Sequence, residues 1–308
     1  MNLPVGDGQV LYYEEHGNPD GVPAVVLHGG PGSGSNPLHR SFFDLERFRV
    51  IQFDQRGCGQ STPHASAVSV SLETNTIGHL LRDVEALRVA CRVERWVVFG
   101  HSFGSLLGLG YAASTPERVI GLVLAGVAVG RQSELDWIYG GIAADYPEAW
   151  ARFTDGIEGD VIAAYRARVN DPDPAVRAAY ARRWTEWDWA TSSITPTPLP
   201  TEGRWAEPAF QLARARICTH YFTGDLLIAG EMLTRPNHLA RLNQCDGVMI
   251  NGERDLQEGA LLLRHLWPRA TYEVVPDAAH SVGDAGMPAA IRGALARLAE
   301  PLGNVSMY

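Results

Sequence analysis

The chain has 308 residues, 45% of them hydrophobic and 20% charged, the composition of a globular protein with a large buried core. A formal net charge of −9 with no dense Lys/Arg run argues against nucleic acid as a partner, because phosphate binding needs clustered cations. No apolar run reaches the length of a membrane span, and the opening residues MNLPVGDGQVLYYEEHG carry no basic segment followed by an apolar core, so no membrane partner and a cytoplasmic location are expected. Cys58, Cys91, Cys218 and Cys245 lie far apart with no CxxC pair, which predicts free thiols and neither a zinc site nor a disulfide framework.

In chain order, short β-branched runs alternate with helical patterns. VLYYEEH (10–16), AVVLH (24–28) and RVIQFD (49–54) precede the helix-period segment 76–93; WVVFG (96–100) leads to a helix over 103–114, and VIGLVLAG (119–126) follows. Continuous apolar strands separated by helices predict an α/β fold with a mostly parallel sheet covered on both faces. Past Gly130 the texture changes to amphipathic helices rich in Trp, Tyr, Ala and Arg, interrupted by a Pro/Thr linker (191–203) before a helix at about 207–218. Alternation resumes with GVMIN (247–251), a helix over 259–267, TYEVV (271–275) and a last helix over 288–299. The expected organisation is one α/β core, 1–129 plus 240–308, with a helical insertion, 130–239, shaping the substrate pocket.

GHSFG (100–104) fits G-x-S-x-G between an apolar strand and a helix of small residues, the setting in which a turn presents a serine hydroxyl at a helix N-terminus. Serine needs a neutral imidazole to take its proton, and the imidazole needs a carboxylate to fix its tautomer. The order Ser, acid, His at strand ends selects Ser102, Asp255 after GVMIN, and His280 after TYEVV, with a crossover helix between the last two. Asp225 and Asp284 are weaker candidates for the acid, since neither follows a convincing strand. Among the 10 histidines, His265 falls in a helical pattern, His220 in the insertion, and His28 and His101 in turn motifs. HGGPGSG (28–34), directly after a strand, can aim the Gly30 N–H at an oxyanion, with the Phe103 N–H as partner donor; it lacks the GK[ST] and G-x-G-x-x-G patterns of phosphate loops. FDQRGCGQST (53–62) gathers Asp54, Arg56 and two glycines, either as an Asp–Arg pair shaping a loop beside the site or as a plain turn.

These segments resemble the proline iminopeptidases, serine aminopeptidases of the α/β hydrolase fold. HGGPG together with DQRGCGQS is specific to that family and its near relatives, and further likeness runs through NTIGHLLRDVEALR, PERVIGLVLAG, RARICTHYF, NGERD and PDAAHS. The resemblance implies Ser102, Asp255 and His280 as the triad, the insertion as a helical cap, and no metal or cofactor. It also implies two cap glutamates around the substrate's free imino group. Here the corresponding positions hold Asp188 and Cys218. Ala128 stands where the family tends to have a bulky residue, and Phe103 replaces Trp after the nucleophile. Asp188, Cys218, Tyr221, Phe222 and Ala128 are therefore the expected substrate contacts, with Glu186, Asp188 or Glu231 left to hold an amine.

The expected activity is release of an N-terminal proline or other small residue from peptides or amides through an acyl-enzyme. The alternative is an amidase or esterase of small acyl groups that has lost strict proline recognition. A non-catalytic binding protein on the same fold would show a damaged triad or oxyanion loop, and neither motif is damaged.

Overall fold

The computed structural model describes residues 1–194 and 197–299. Two positions of the expected Pro/Thr linker, and the end of the expected 240–308 segment, lie outside them. The strands β1 (Asn2–Gly6), β2 (Gln9–Gly17), β3 (Val22–Leu27), β4 (Phe48–Phe53), β5 (Trp96–His101), β6 (Val119–Ala125), β7 (Gly247–Gly252) and β8 (Ala270–Val275) form one sheet. Their order is β1-β2-β4-β3-β5-β6-β7-β8. The pairs β1/β2 and β2/β4 are antiparallel; the rest of the sheet is parallel.

The central strands are apolar without interruption because both faces are buried. Val25, Leu27, Ile51, Val98 and Leu122 pack into one core cluster, while the intervening Ala24, Val26, Val50, Val97 and Val123 pack into another across the sheet. Strand β1 was not expected from the sequence. It pairs with β2 through Asp7 and Gly8, both at positive φ (53° and 71°), a tight-hairpin geometry that an Asp-Gly pair favours.

Between β6 and β7 the described chain is helical. The segment 134–153, part of the tract with an amphipathic helical pattern, is broken by Gly140 and Gly141 into a helix Gln132–Ile138, a 3-10 turn Gly141–Asp145 and a helix Pro147–Thr154. Helices Val161–Arg168, Pro174–Ser192 and Pro208–Phe222 follow, the last two opening on a proline at a position where the missing N–H costs nothing. Their core is aromatic: Phe153 stacks on Tyr165 at 4.5 Å between centroids and on Trp187 at 5.2 Å. Two further helices, Leu226–Leu233 and Pro236–Leu242, were not expected.

Candidate active site

Strand β5 ends at His101, and the helix Phe103–Ser114 begins two residues later. Ser102, between them, takes φ 57° and ψ −124°, a strained conformation for a residue with a side chain. The turn is this tight because of the flanking glycines. A Cβ on Gly100 would lie 2.3 Å from the Gly104 carbonyl oxygen, and one on Gly104 would lie 2.0 Å from the Leu27 carbonyl oxygen. No side chain fits at either place. The Ser102 N–H is tied to the Ala125 carbonyl at 2.9 Å, which docks the turn on the end of β6.

Asp255 and His280 stand in the loops that follow β7 and β8, and they meet at the turn. His280 Nε2 lies 2.8 Å from Ser102 Oγ, and His280 Nδ1 is 3.0 Å from each Asp255 carboxylate oxygen. The Asp255 side chain is 4% exposed and accepts the Leu256 N–H at 2.8 Å and an Asn251 Nδ2 donor at 3.2 Å. Burial alone would push the His280 pKa down; the neighbouring Asp255 carboxylate outweighs it and holds the imidazole above its usual value. Asp225 and Asp284, the weaker candidates for the acid, serve elsewhere: Asp225 accepts the N–H of Ile77 at 2.6 Å, and Asp284 that of Ala279 at 2.8 Å.

The loop 28–34 passes directly over the serine, so close that a Cβ on Gly29 would come within 2.9 Å of Ser102 Cβ. Among the described residues, neither the Gly30 N–H nor the Phe103 N–H makes a hydrogen bond. His28, at the base of the loop, is buried: its Nε2 accepts the Gln55 N–H at 3.1 Å, while Gln55 Nε2 donates to the His28 carbonyl at 2.9 Å. The suggested Asp54–Arg56 pair does not form. Asp54 accepts the N–H groups of Ser35 and Gln60, and Arg56 reaches Asp83 instead, at 2.6 and 2.8 Å.

A cleft of about 400 Å³ opens above Ser102 and His280. Of the five expected substrate contacts, Asp188, Phe222 and Ala128 line it. Cys218 and Tyr221 do not, because each is 1% exposed and turned into the packing. The Cys218 thiol donates to the Pro31 carbonyl at 3.2 Å, and burial pushes its pKa up to about 12, so it brings no negative charge. The Tyr221 ring packs on Phe103 at 5.2 Å. Glu186 pairs with Arg182 on its own helix, and neither it nor Glu231 lines the cleft.

Three charged residues of the cleft were not anticipated. Glu134 accepts the N–H groups of Val129, Gly130 and Arg131. Arg204 donates to the Ser33 carbonyl at 2.8 Å, and Arg214 binds Asp188. Arg214 was within reach of sequence reasoning, since it lies on the same helix one turn before the expected contact Cys218. Among the described residues no cluster of three His, Cys, Asp or Glu could hold a metal ion, and no helix is long and apolar enough to cross a membrane.

A serine on a strand-to-helix turn of a mostly parallel sheet, bonded to a histidine that an aspartate orients, defines a hydrolase of the α/β hydrolase fold. A family model for that fold matches residues 23–285. The chain is 41% identical over 298 residues to a probable proline iminopeptidase of Streptomyces coelicolor, covering 92% of this chain and 90% of that protein. It is 40% identical over 297 residues to a proline iminopeptidase of Arabidopsis thaliana, covering 94% and 76%. A crystal structure of a proline iminopeptidase from Mycobacterium smegmatis matches with a TM-score of 0.69 at 21% identity, over 98% of this chain and 99% of that one, a likeness of fold. The chain belongs to the proline iminopeptidase family of α/β hydrolases.

Proposed function

We propose that Ser102 is the nucleophile of an acyl-transfer site that hydrolyses small peptides and amides, releasing an N-terminal proline or other small residue. The observation that carries this reading is the continuous chain Ser102 Oγ, His280 Nε2, His280 Nδ1, Asp255, with every link within 3.0 Å. His280 takes the hydroxyl proton as Ser102 attacks the scissile carbonyl, and Asp255 stabilises the imidazolium that forms. The oxyanion rests on the Gly30 and Phe103 N–H groups, at the N-terminus of the helix Phe103–Ser114, where the helix dipole favours negative charge. His280 then protonates the departing amine, and water, activated by the same imidazole, resolves the acyl-enzyme. The segment 130–239 acts as a cap, its helices supplying Asp188 and Phe222 to the acyl pocket.

Labelling with a fluorophosphonate probe tests the nucleophile. Ser102→Ala should abolish labelling and lower amide hydrolysis by about 10⁴-fold or more while leaving the thermal midpoint close to that of the native protein. Labelling that persists in Ser102→Ala would refute the assignment. A second reading, an amidase or esterase without a strict requirement for a free amine, is favoured by one feature: Asp188, the cleft acid expected to hold an amine, is already bound to Arg214.

A further inference from the structure

Beside the histidines His39, His101 and His280, the acidic and basic side chains that line the cleft are Asp188, Arg214, Arg204, Glu134 and Asp255. Three are committed to the fold. Asp255 holds His280, Glu134 is filled by three backbone N–H groups, and Arg204 is fastened to the Ser33 carbonyl. Asp188 and Arg214 remain, and they are bound to each other across two helices, with side chains 12% and 9% exposed.

Arg214 is not free to swing away. Its Nε lies 3.3 Å from Ser33 Oγ, its guanidinium sits over the Trp205 ring at 5.4 Å, and the Asp188 carboxylate outweighs burial to keep it charged. An ammonium brought to Asp188 would meet the guanidinium at nearly the same distance, so attraction to one charge is offset by repulsion from the other. The surrounding walls, Trp137, Tyr139 and Phe222, are aromatic and suit a compact apolar group.

Resting on the acyl-transfer reading above, we propose that Arg214 sets the charge specificity of this site: by occupying Asp188 it removes the requirement for a free amine, so that compact uncharged acyl groups are cleaved alongside prolyl and other small aminoacyl groups. The proline ring and its carbocyclic counterpart separate the two classes, because cyclopentanecarbonyl 2-naphthylamide differs from prolyl 2-naphthylamide only where the ring nitrogen becomes carbon. At pH 7, where the prolyl nitrogen is mostly protonated, the native enzyme should cleave the carbocyclic amide with a kcat/KM within about threefold of the prolyl one.

Arg214→Met, which unmasks Asp188, should raise the prolyl-to-carbocyclic ratio by about tenfold or more, and Asp188→Asn, which unmasks Arg214, should lower it. The two shifts are opposite in sign, so a general loss of activity or of folding in one variant cannot imitate the pair. A native preference for the prolyl amide of about tenfold, or a ratio that neither substitution moves, would overturn the proposal. Fluorophosphonate labelling of Ser102 with neither amide cleaved would also overturn it, whereas absence of labelling would overturn the acyl-transfer reading beneath it.

Discussion

His101 donates its Nε2–H to the main-chain carbonyl of His280 at 3.1 Å, and the two rings lie 5.3 Å apart. The acceptor is a carbonyl, so Nε2 must carry the proton. His101 is thus a neutral imidazole that braces the loop bearing His280. Burial first, and the nearby His280 second, drive its pKa down to about 4.

That depression has a thermodynamic sign. A folded state that resists protonating His101 loses stability as pH falls below the unfolded value near 6.5, and the loss levels off below about 4. At about 1.4 kcal/mol per pH unit, His101 alone accounts for roughly 3 kcal/mol of acid destabilisation. Urea midpoints between pH 7 and 4 should fall less steeply in His101→Gln than in the native protein; parallel curves would show that His101 carries no such linkage.

Activity should respond to His280 in its own pH window. The base must be neutral to take the serine proton, and Asp255 raises its pKa above the ordinary value of about 6.5. The acid limb of kcat/KM is therefore expected above pH 6.5. Asp255→Asn removes the raising charge and leaves the burial, so the limb should move to lower pH while the rate drops by about 10³–10⁴-fold. A limb that stays in place in Asp255→Asn would separate the profile from this pair.

Gly126, at the end of β6, has φ +55°, and a Cβ there would sit 2.9 Å from His280 Cε1. Gly126→Ala should displace the imidazole from Ser102 and lower kcat by about tenfold to a hundredfold, against a stability loss of about 1 kcal/mol from the positive φ. Kinetics and a thermal melt on the same preparation check the split. A large loss of stability with unchanged kcat would contradict it.

Arg56 and Asp83 form a bidentate pair whose side chains are each 1% exposed. Arg56→Met would leave the Asp83 carboxylate buried without its partner, at a cost of about 3–5 kcal/mol. Replacing both residues with apolar side chains of similar volume should recover much of that loss. Urea denaturation of the single and double variants decides it.

The parallel sheet was legible because burial on both faces writes uninterrupted apolar runs into β3, β5, β6 and β7, each followed by glycine or polar residues. Ser102, Asp255 and His280 were legible for the same reason, standing just past strand ends. Strand β1 was not, since its side chains alternate between exposed and half-buried in NLPVG and leave little apolar signal; its clue was the Asp7-Gly8 pair. The acyl pocket was harder still. Cys218 and Tyr221 are neighbours of cleft residues along the chain, but helix rotation turns them inward, and the Asp188–Arg214 bond joins residues 26 apart in sequence. Single-sequence spacing does not report which charge meets which across two helices.

The helix Pro208–Phe222 touches the loop 28–34 at successive points: Arg214 at Ser33, Ile217 against Gly32, and Cys218 at the Pro31 carbonyl. Arg204, just before that helix, holds Ser33 from its main-chain side. Lifting this helix to widen the cleft would pull on the same short loop that carries the Gly30 N–H. The wall of the cleft and the turn that faces the serine therefore share one support, and a change in the seating of this helix would be felt by both.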